Sequence, residues 1–212
     1  MADMRRDMMI LQAWFSPAFP TGAFSYSHGL ETAIQDRLVT DEVSLQSWIA
    51  ALLLYGSGRN DGLFLKAAYE GDDEAAPLCL ALCASKERWQ ETTELGQAFS
   101  RIVNDSYQTD LPAGLAYPVA VGLAARAMGL DLNLTIQSYL QAFAANLVSV
   151  GVRAIPIGQK AGQDCLVRLY PVIEEVTTEI AAASLDEVGS AAMLSDVMAM
   201  KHEISVPRIY RT

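Results

Sequence analysis

The chain has 212 residues, 51% of them hydrophobic, and a formal net charge of −10, with 25 Asp and Glu against 15 Lys and Arg. That length holds one sizeable core and is short for two, so a single domain over residues 1–212 is expected. The acid excess argues against a nucleic-acid surface, which needs clustered Lys and Arg, and favours basic or metal-handling partners. Three cysteines without framework spacing argue against a disulfide-stapled secreted fold. No apolar run reaches the roughly 18 residues of a membrane span. The Met8-Met9-Ile10-Leu11 run lacks a small-residue cleavage site, and a cytoplasmic location is expected.

Met8, Ile10, Leu11, Trp14 and Phe15 recur at spacings of three and four and predict a short amphipathic helix. The stretch Ser16-Pro17-Ala18-Phe19-Pro20-Thr21-Gly22 then predicts one irregular, stiff turn. Phe24 and Tyr26 follow, set among three hydroxyls and His28, as if to be presented. Ser25 or Ser27 is placed to cap a second helix through Leu30, Ile34 and Leu38, with Glu31 in its first turn. Asp41 or Ser44 starts another through Leu45, Trp48, Ile49, Leu52 and Leu53. Gly56-Ser57-Gly58 interrupts, Asp61 to Tyr69 resumes the period, and Gly71-Asp72-Asp73 stops it again.

From Glu74 to Gln108 the pattern gives one short and one long helix, the latter burying Leu95, Phe99, Ile102 and Val103 and leaving Glu87, Glu91 and Glu94 as a solvated stripe. Leu111-Pro112-Ala113-Gly114 breaks the chain, and Tyr117 to Met128, rich in small residues, is a helix closed by Gly129. Leu134 to Ile155 has an apolar arc wide enough for a central position. Gln159 to Ala183 and Asp186 to Lys201 add two more helices, and Glu203 to Thr212 an extended tail. No segment alternates with period two. The expected architecture is an all-α bundle of roughly eight to ten helices.

Chemistry is sparse. Gly158-Gln159-Lys160-Ala161-Gly162 lacks the order of a phosphate-cradling loop, so the chain by itself is expected neither to bind nor to hydrolyse GTP. No Gly-x-Ser-x-Gly elbow and no His-Glu-x-x-His helix occurs, and Ser25 with His28 is better read as structure than as a nucleophile pair. Cys79 and Cys83 lie among leucines and alanines as small hydrophobes. One alternative is a helical metal-binding enzyme that brings His28, His202 and a cysteine together. The tail is different: Arg208, Tyr210 and Arg211 are residue types enriched in interface hot spots, at a terminus expected to owe the core little, and the segment either orders on a partner or folds back on its own bundle.

Ser16-Pro17 through Pro20-x-Gly22, with Phe24-Ser25-Tyr26-Ser27-x-Gly29-Leu30-Glu31, resembles the N-terminal signature of the UreF family of urease accessory proteins. Tyr117-Pro118-Val119-Ala120 with Gly122, Asn146-x-Val148-Ser149, Val152-Arg153-x-Ile155-Pro156-Ile157-Gly158-Gln159 and the His202-Glu203 tail follow in the family's order. In the tail Arg208 and Arg211 are kept, while Val206-Pro207 stands for the family's Tyr-Ser, Ile209 for Leu, Tyr210 for Phe and Thr212 for Ser. The resemblance implies an all-α accessory protein with no catalytic centre and no resident cofactor or metal. Its implied partners are the UreD (or UreH) scaffold, the GTPase UreG and apo-urease. It also implies a homodimer, control of the UreG cycle and a water-filled route for nickel through the assembly. The residues expected to meet partners are Phe24, Tyr26, Glu31, His202, Glu203, Arg208, Tyr210 and Arg211.

Overall fold

A computed structural model describes residues 2–211; Met1 and Thr212, the last residue of the expected tail, lie outside the described residues. Ten α-helices and no strand occur among the described residues. They are α1 (Ala2–Trp14), α2 (Leu30–Gln35), α3 (Glu42–Tyr55), α4 (Ser57–Glu70), α5 (Ala75–Ala81), α6 (Lys86–Tyr107), α7 (Tyr117–Met128), α8 (Leu132–Ala154), α9 (Gln159–Ala182) and α10 (Met193–His202).

The helix starts follow local chemistry. Asp41 accepts from Ser44 N at 2.8 Å while the Ser44 hydroxyl accepts from Asp41 N at 3.1 Å, a reciprocal cap that opens α3. Ser85 accepts from Arg88 N at 3.1 Å to open α6, and Asp131 from Leu134 N at 2.8 Å to open α8. As its apolar arc predicts, α8 is central, packing on α9, α4, α3, α2 and α1. Trp14 and Phe99, both fully enclosed, meet edge to face at 5.1 Å in the core. The α4 and α7 backbones approach so closely that a Cβ on Gly122 would lie 2.2 Å from the Leu65 carbonyl oxygen. That contact is why the small-residue helix is built as it is.

Two helices are shorter than their periodicity predicts. Leu38, expected on α2, is exposed, because the chain turns at Arg37 (φ 61°) and Leu38 N bonds back to Ala33 O at 2.8 Å. This 6→1 closure ends the helix before the apolar period does. Asp186 to Lys201 is not one helix but a single 3-10 turn at Leu185–Glu187, an irregular stretch, and α10. Between them Ala191 N donates to Tyr55 O at 2.8 Å and Gly189 N to Asn60 Oδ1 at 3.2 Å, tertiary bonds that replace the helical ladder.

Candidate functional site

The loop between α1 and α2 carries the signature. Phe19 N returns to Ser16 O at 2.9 Å and Thr21 N to Phe19 O at 2.8 Å, so the two prolines sit in tight, internally bonded turns. After a 3-10 turn at Ala23–Ser25 the chain dives inward: Tyr26, Ser27 and His28 are buried. Two left-handed residues in succession, His28 (φ 50°) and Gly29 (φ 75°), reverse it into α2 beneath α10. A Cβ on Gly29 would lie 2.8 Å from Ala199 N and 2.9 Å from Ser195 O, so α10 rests directly on this glycine's backbone.

The tail returns from the far end of α10 to the same place. Arg211 N donates to Ser25 O at 2.8 Å, and its guanidinium lies over the Tyr26 ring at 5.3 Å. Glu31, only 4% exposed, accepts from Ile209 N and Tyr210 N at 2.8 Å each and lies 3.0 Å from His202 Nε2. Arg153 stacks over the Tyr210 ring at 5.2 Å, while Glu203 accepts from Lys86 N at 2.8 Å at the start of α6.

The α6 carboxylates are not the solvated stripe their spacing predicts. Glu87 and Glu91 are buried and Glu94 is partly so. Glu87 binds His202 Nδ1 at 2.7 Å and also Arg208; Glu91 lies 3.1 Å from His28 Nε2 and 3.2 Å from Arg88; Glu94 accepts from Tyr26 Oη at 2.9 Å and Arg211 at 3.0 Å. Arg88 in turn donates to both oxygens of Asp61, at 2.9 and 2.7 Å, and Tyr139 Oη donates to Asp61 at 2.8 Å. The loop, the tail and α6 thus form one carboxylate-held unit.

The structure brings together Tyr26, Glu31, His202, Glu203, Arg208, Tyr210 and Arg211, but it corrects how four of them are presented. Tyr26, Glu31, His202 and Tyr210 are all buried, at 3%, 4%, 0% and 6% exposed, whereas Phe24 is 59% exposed. The tail is not loosely attached, since Tyr210 belongs to the core cluster. Sequence reasoning passed over Asp61, Arg88 and Tyr139. An aspartate at the head of the apolar run Leu63-Phe64-Leu65 was the one available signal.

The electrostatics follow from this packing. Burial opposes the charge on Glu91, yet His28 and Arg88 hold its pKa below the ordinary carboxylate value. Glu94 is lowered by its bond from Gln90, against partial burial and with help from Arg211 and Tyr26. Arg88 keeps its charge despite burial because Asp61 and Glu91 face it. Burial raises the Tyr26 phenol, and the Glu94 bond adds to it. Carboxylates depressed in the folded state stabilise it fully above their unfolded pKa and cease to do so as pH falls through the folded one. Melting temperature is therefore expected to stay level down to about pH 5 and to fall below the ordinary value of 4.5. A profile flat through about pH 3 would contradict this account.

The metal-enzyme alternative finds no support in this geometry. Both His202 nitrogens lie on carboxylates, and burial pushes the Cys79 and Cys83 thiols upward, away from the thiolate a metal needs. Among the described residues no group of three or more His, Cys, Asp or Glu is placed to hold a metal ion.

A sequence model of the UreF family matches residues 39–170, more than half of the chain. The chain belongs to the UreF family. Full-length UreF relatives extend the match over the loop and tail. A protein named urease accessory protein UreF from Cereibacter sphaeroides KD131 is 47% identical over 99% of this chain and 100% of its own length. Proteins of the same name from Roseobacter denitrificans and Ruegeria pomeroyi are 43% and 42% identical, over 96% and 98% of this chain and 93% and 97% of theirs. Among the described residues of this UreF-family chain no helix is long and apolar enough to cross a membrane.

Proposed function

We propose that this chain is a urease accessory protein, a cytoplasmic adaptor without catalysis of its own. In this reading one helical domain joins the UreD/UreH scaffold to the GTPase UreG, modulates the GTPase cycle and serves nickel delivery to apo-urease, acting as a homodimer. The names of its full-length relatives support the accessory role. The observation that carries the reading is the convergence of loop and tail on one platform, which leaves Phe24, Ile204, Val206 and Ile209 exposed beside the half-exposed Arg208.

That platform offers the mixture a partner surface requires. Phe24, Ile204, Val206 and Ile209 are exposed apolar side chains, and Arg208, half exposed, spends one nitrogen of its fork on Glu87. A guanidinium has five N–H donors, so Arg208 is suited to bidentate capture of a partner carboxylate. On α10 the exposed Met193, Val197 and Met200 recur at helical spacing on the side opposite the buried Ser195, Met198, Ala199 and His202, and the exposed Ile204 follows just beyond its end. An apolar face of that kind suits an obligate scaffold, and the arginine-bearing rim suits the exchangeable GTPase.

Co-purification with UreD/UreH, UreG and apo-urease tests the assignment. Phe24→Ala and Arg208→Ala are expected to leave the melting temperature nearly unchanged and to lower recovery of UreG and urease activation. Tyr26→Ala is instead expected to cost about 3 kcal/mol of stability, as buried aromatics do. Unimpaired UreG recovery with both Phe24→Ala and Arg208→Ala would refute the surface assignment.

A further inference from the structure

Partner assembly leaves one property of the signature loop unexplained: it roofs a cavity of about 410 Å³ whose walls come from α1, α4, α6, α7 and α8. That volume falls within the roughly 300–1,000 Å³ of small-ligand sites. Rings dominate the lining, among them Phe19, Phe24, Tyr117, Tyr139 and Phe143, with Tyr117 and Tyr139 centred 5.4 Å apart. Phe24 both lines the cavity and is exposed, so the cavity reaches the surface at the loop. Set into this aromatic wall are two carboxylates, Asp61 and Glu91, with the Arg88 guanidinium and the His28 imidazole beside them.

The two carboxylates differ in one respect. Asp61 is satisfied by Arg88 on both oxygens and by Tyr139. Glu91, 2% exposed, uses Oε1 for His28 and Arg88, while its Oε2 has no hydrogen-bond partner. A buried, ionised oxygen without a donor is a costly arrangement that native structures rarely keep without a reason.

We propose that this cavity binds a small organic cation, an alkylammonium or alkylguanidinium group, which donates to Glu91 Oε2 and lays its charge over the surrounding ring faces. An anion would meet a guanidinium already turned to Asp61 and Glu91. A neutral apolar ligand would leave the Glu91 oxygen unpaired. A metal ion would lack a first coordination group, since no cluster of three donor side chains lies here among the described residues. Aromatic faces with a nearby carboxylate are the arrangement that selects organic cations in general. The site is read on this chain alone, so its failure would leave the adaptor reading untouched.

Calorimetry on the full chain tests it with n-butylammonium and N-butylguanidinium as probes, 1-butanol as the neutral comparison and Nα-acetyl-lysine amide as a capped side chain. Saturable one-to-one binding of the cations is expected, at least about tenfold tighter than butanol. Glu91→Gln is expected to weaken it by about tenfold. Because Glu91→Gln also disturbs His28 and Arg88, Phe24→Ala at the exposed roof gives a second reading, with roughly threefold weakening and an unchanged melting temperature. Binding of butylammonium but not of the capped lysine would support a free small molecule as occupant; equal binding of both would support the same head group carried on a partner's lysine. Absence of saturable heat with either cation, butanol binding as tightly as butylammonium, or unaltered binding in Phe24→Ala would overturn the proposal.

Discussion

Replacing Arg88 with methionine is expected to destabilise the fold by about 3–5 kcal/mol, the range for breaking a buried ion pair from one side. For a chain of this size that is a fall in melting temperature on the order of 10 °C. The cause is not lost packing, because the methionine fills most of the stem's volume. It is the stranding of two enclosed carboxylates: Asp61 loses both of its bonds from Nη2, and Glu91 loses Nη1, one of its two partners. The pH dependence distinguishes this from a cavity effect. The guanidinium helps to hold Glu91 below the ordinary carboxylate range, so without it Glu91 must titrate higher. A carboxylate whose folded pKa is raised destabilises most at high pH and is relieved as pH falls through that value. The gap between wild type and Arg88→Met is therefore expected to be widest near neutrality and to narrow toward about pH 5. A gap independent of pH would assign the loss to packing.

The second large effect is expected at Glu31. Its two oxygens accept the backbone N–H groups of Ile209 and Tyr210 and face His202, so one buried side chain orients the whole terminal peptide. Glu31→Ala removes three charge-assisted contacts at once, each of the strong class. The tail is then expected to leave its seat, with trypsin cleavage after Arg208 rising by about two orders of magnitude while the helical content stays close to wild type. Glu31→Gln keeps one acceptor oxygen and should fall between the two. Cleavage of Glu31→Ala at the wild-type rate would show that Tyr210 and Arg211 hold the tail without it. The same geometry revises the expectation that the tail owes the core little: removing residues from Glu203 onward takes the cap from Lys86 N and Tyr210 from the core.

The helices were legible in the sequence because their signals are local. Gly129 and the breaker before Tyr117 bound α7 at both ends, and Asp41 and Ser44 name the start of α3. What periodicity could not supply was the identity of whatever covers a face. Glu87, Glu91 and Glu94 form one stripe of α6 beside that of Leu95 and Phe99, and a row of acids on a helix is ordinarily solvated. Here the covering groups, Arg208, His202 and Arg211, come from more than a hundred residues away. The loop and the tail could each be singled out from composition, but not their contact, since nothing local in either records the other. Tyr26 was misjudged for the same reason: an aromatic in a polar loop looks presented until Glu94, Asn146 and Arg211 are found around it.

In the proposed adaptor the loop and the tail act as one platform, which the buried Glu31 governs. The most direct measurement is the recovery of UreG when the Glu31→Ala chain is co-purified with the UreD/UreH scaffold, alongside the same chain lacking residues 203–212. The platform account predicts that Glu31→Ala loses UreG as completely as the truncation does, although Arg208, Tyr210 and Arg211 are all still present. A Glu31→Ala chain whose tail is open to trypsin but which still recovers UreG at the wild-type level would contradict it.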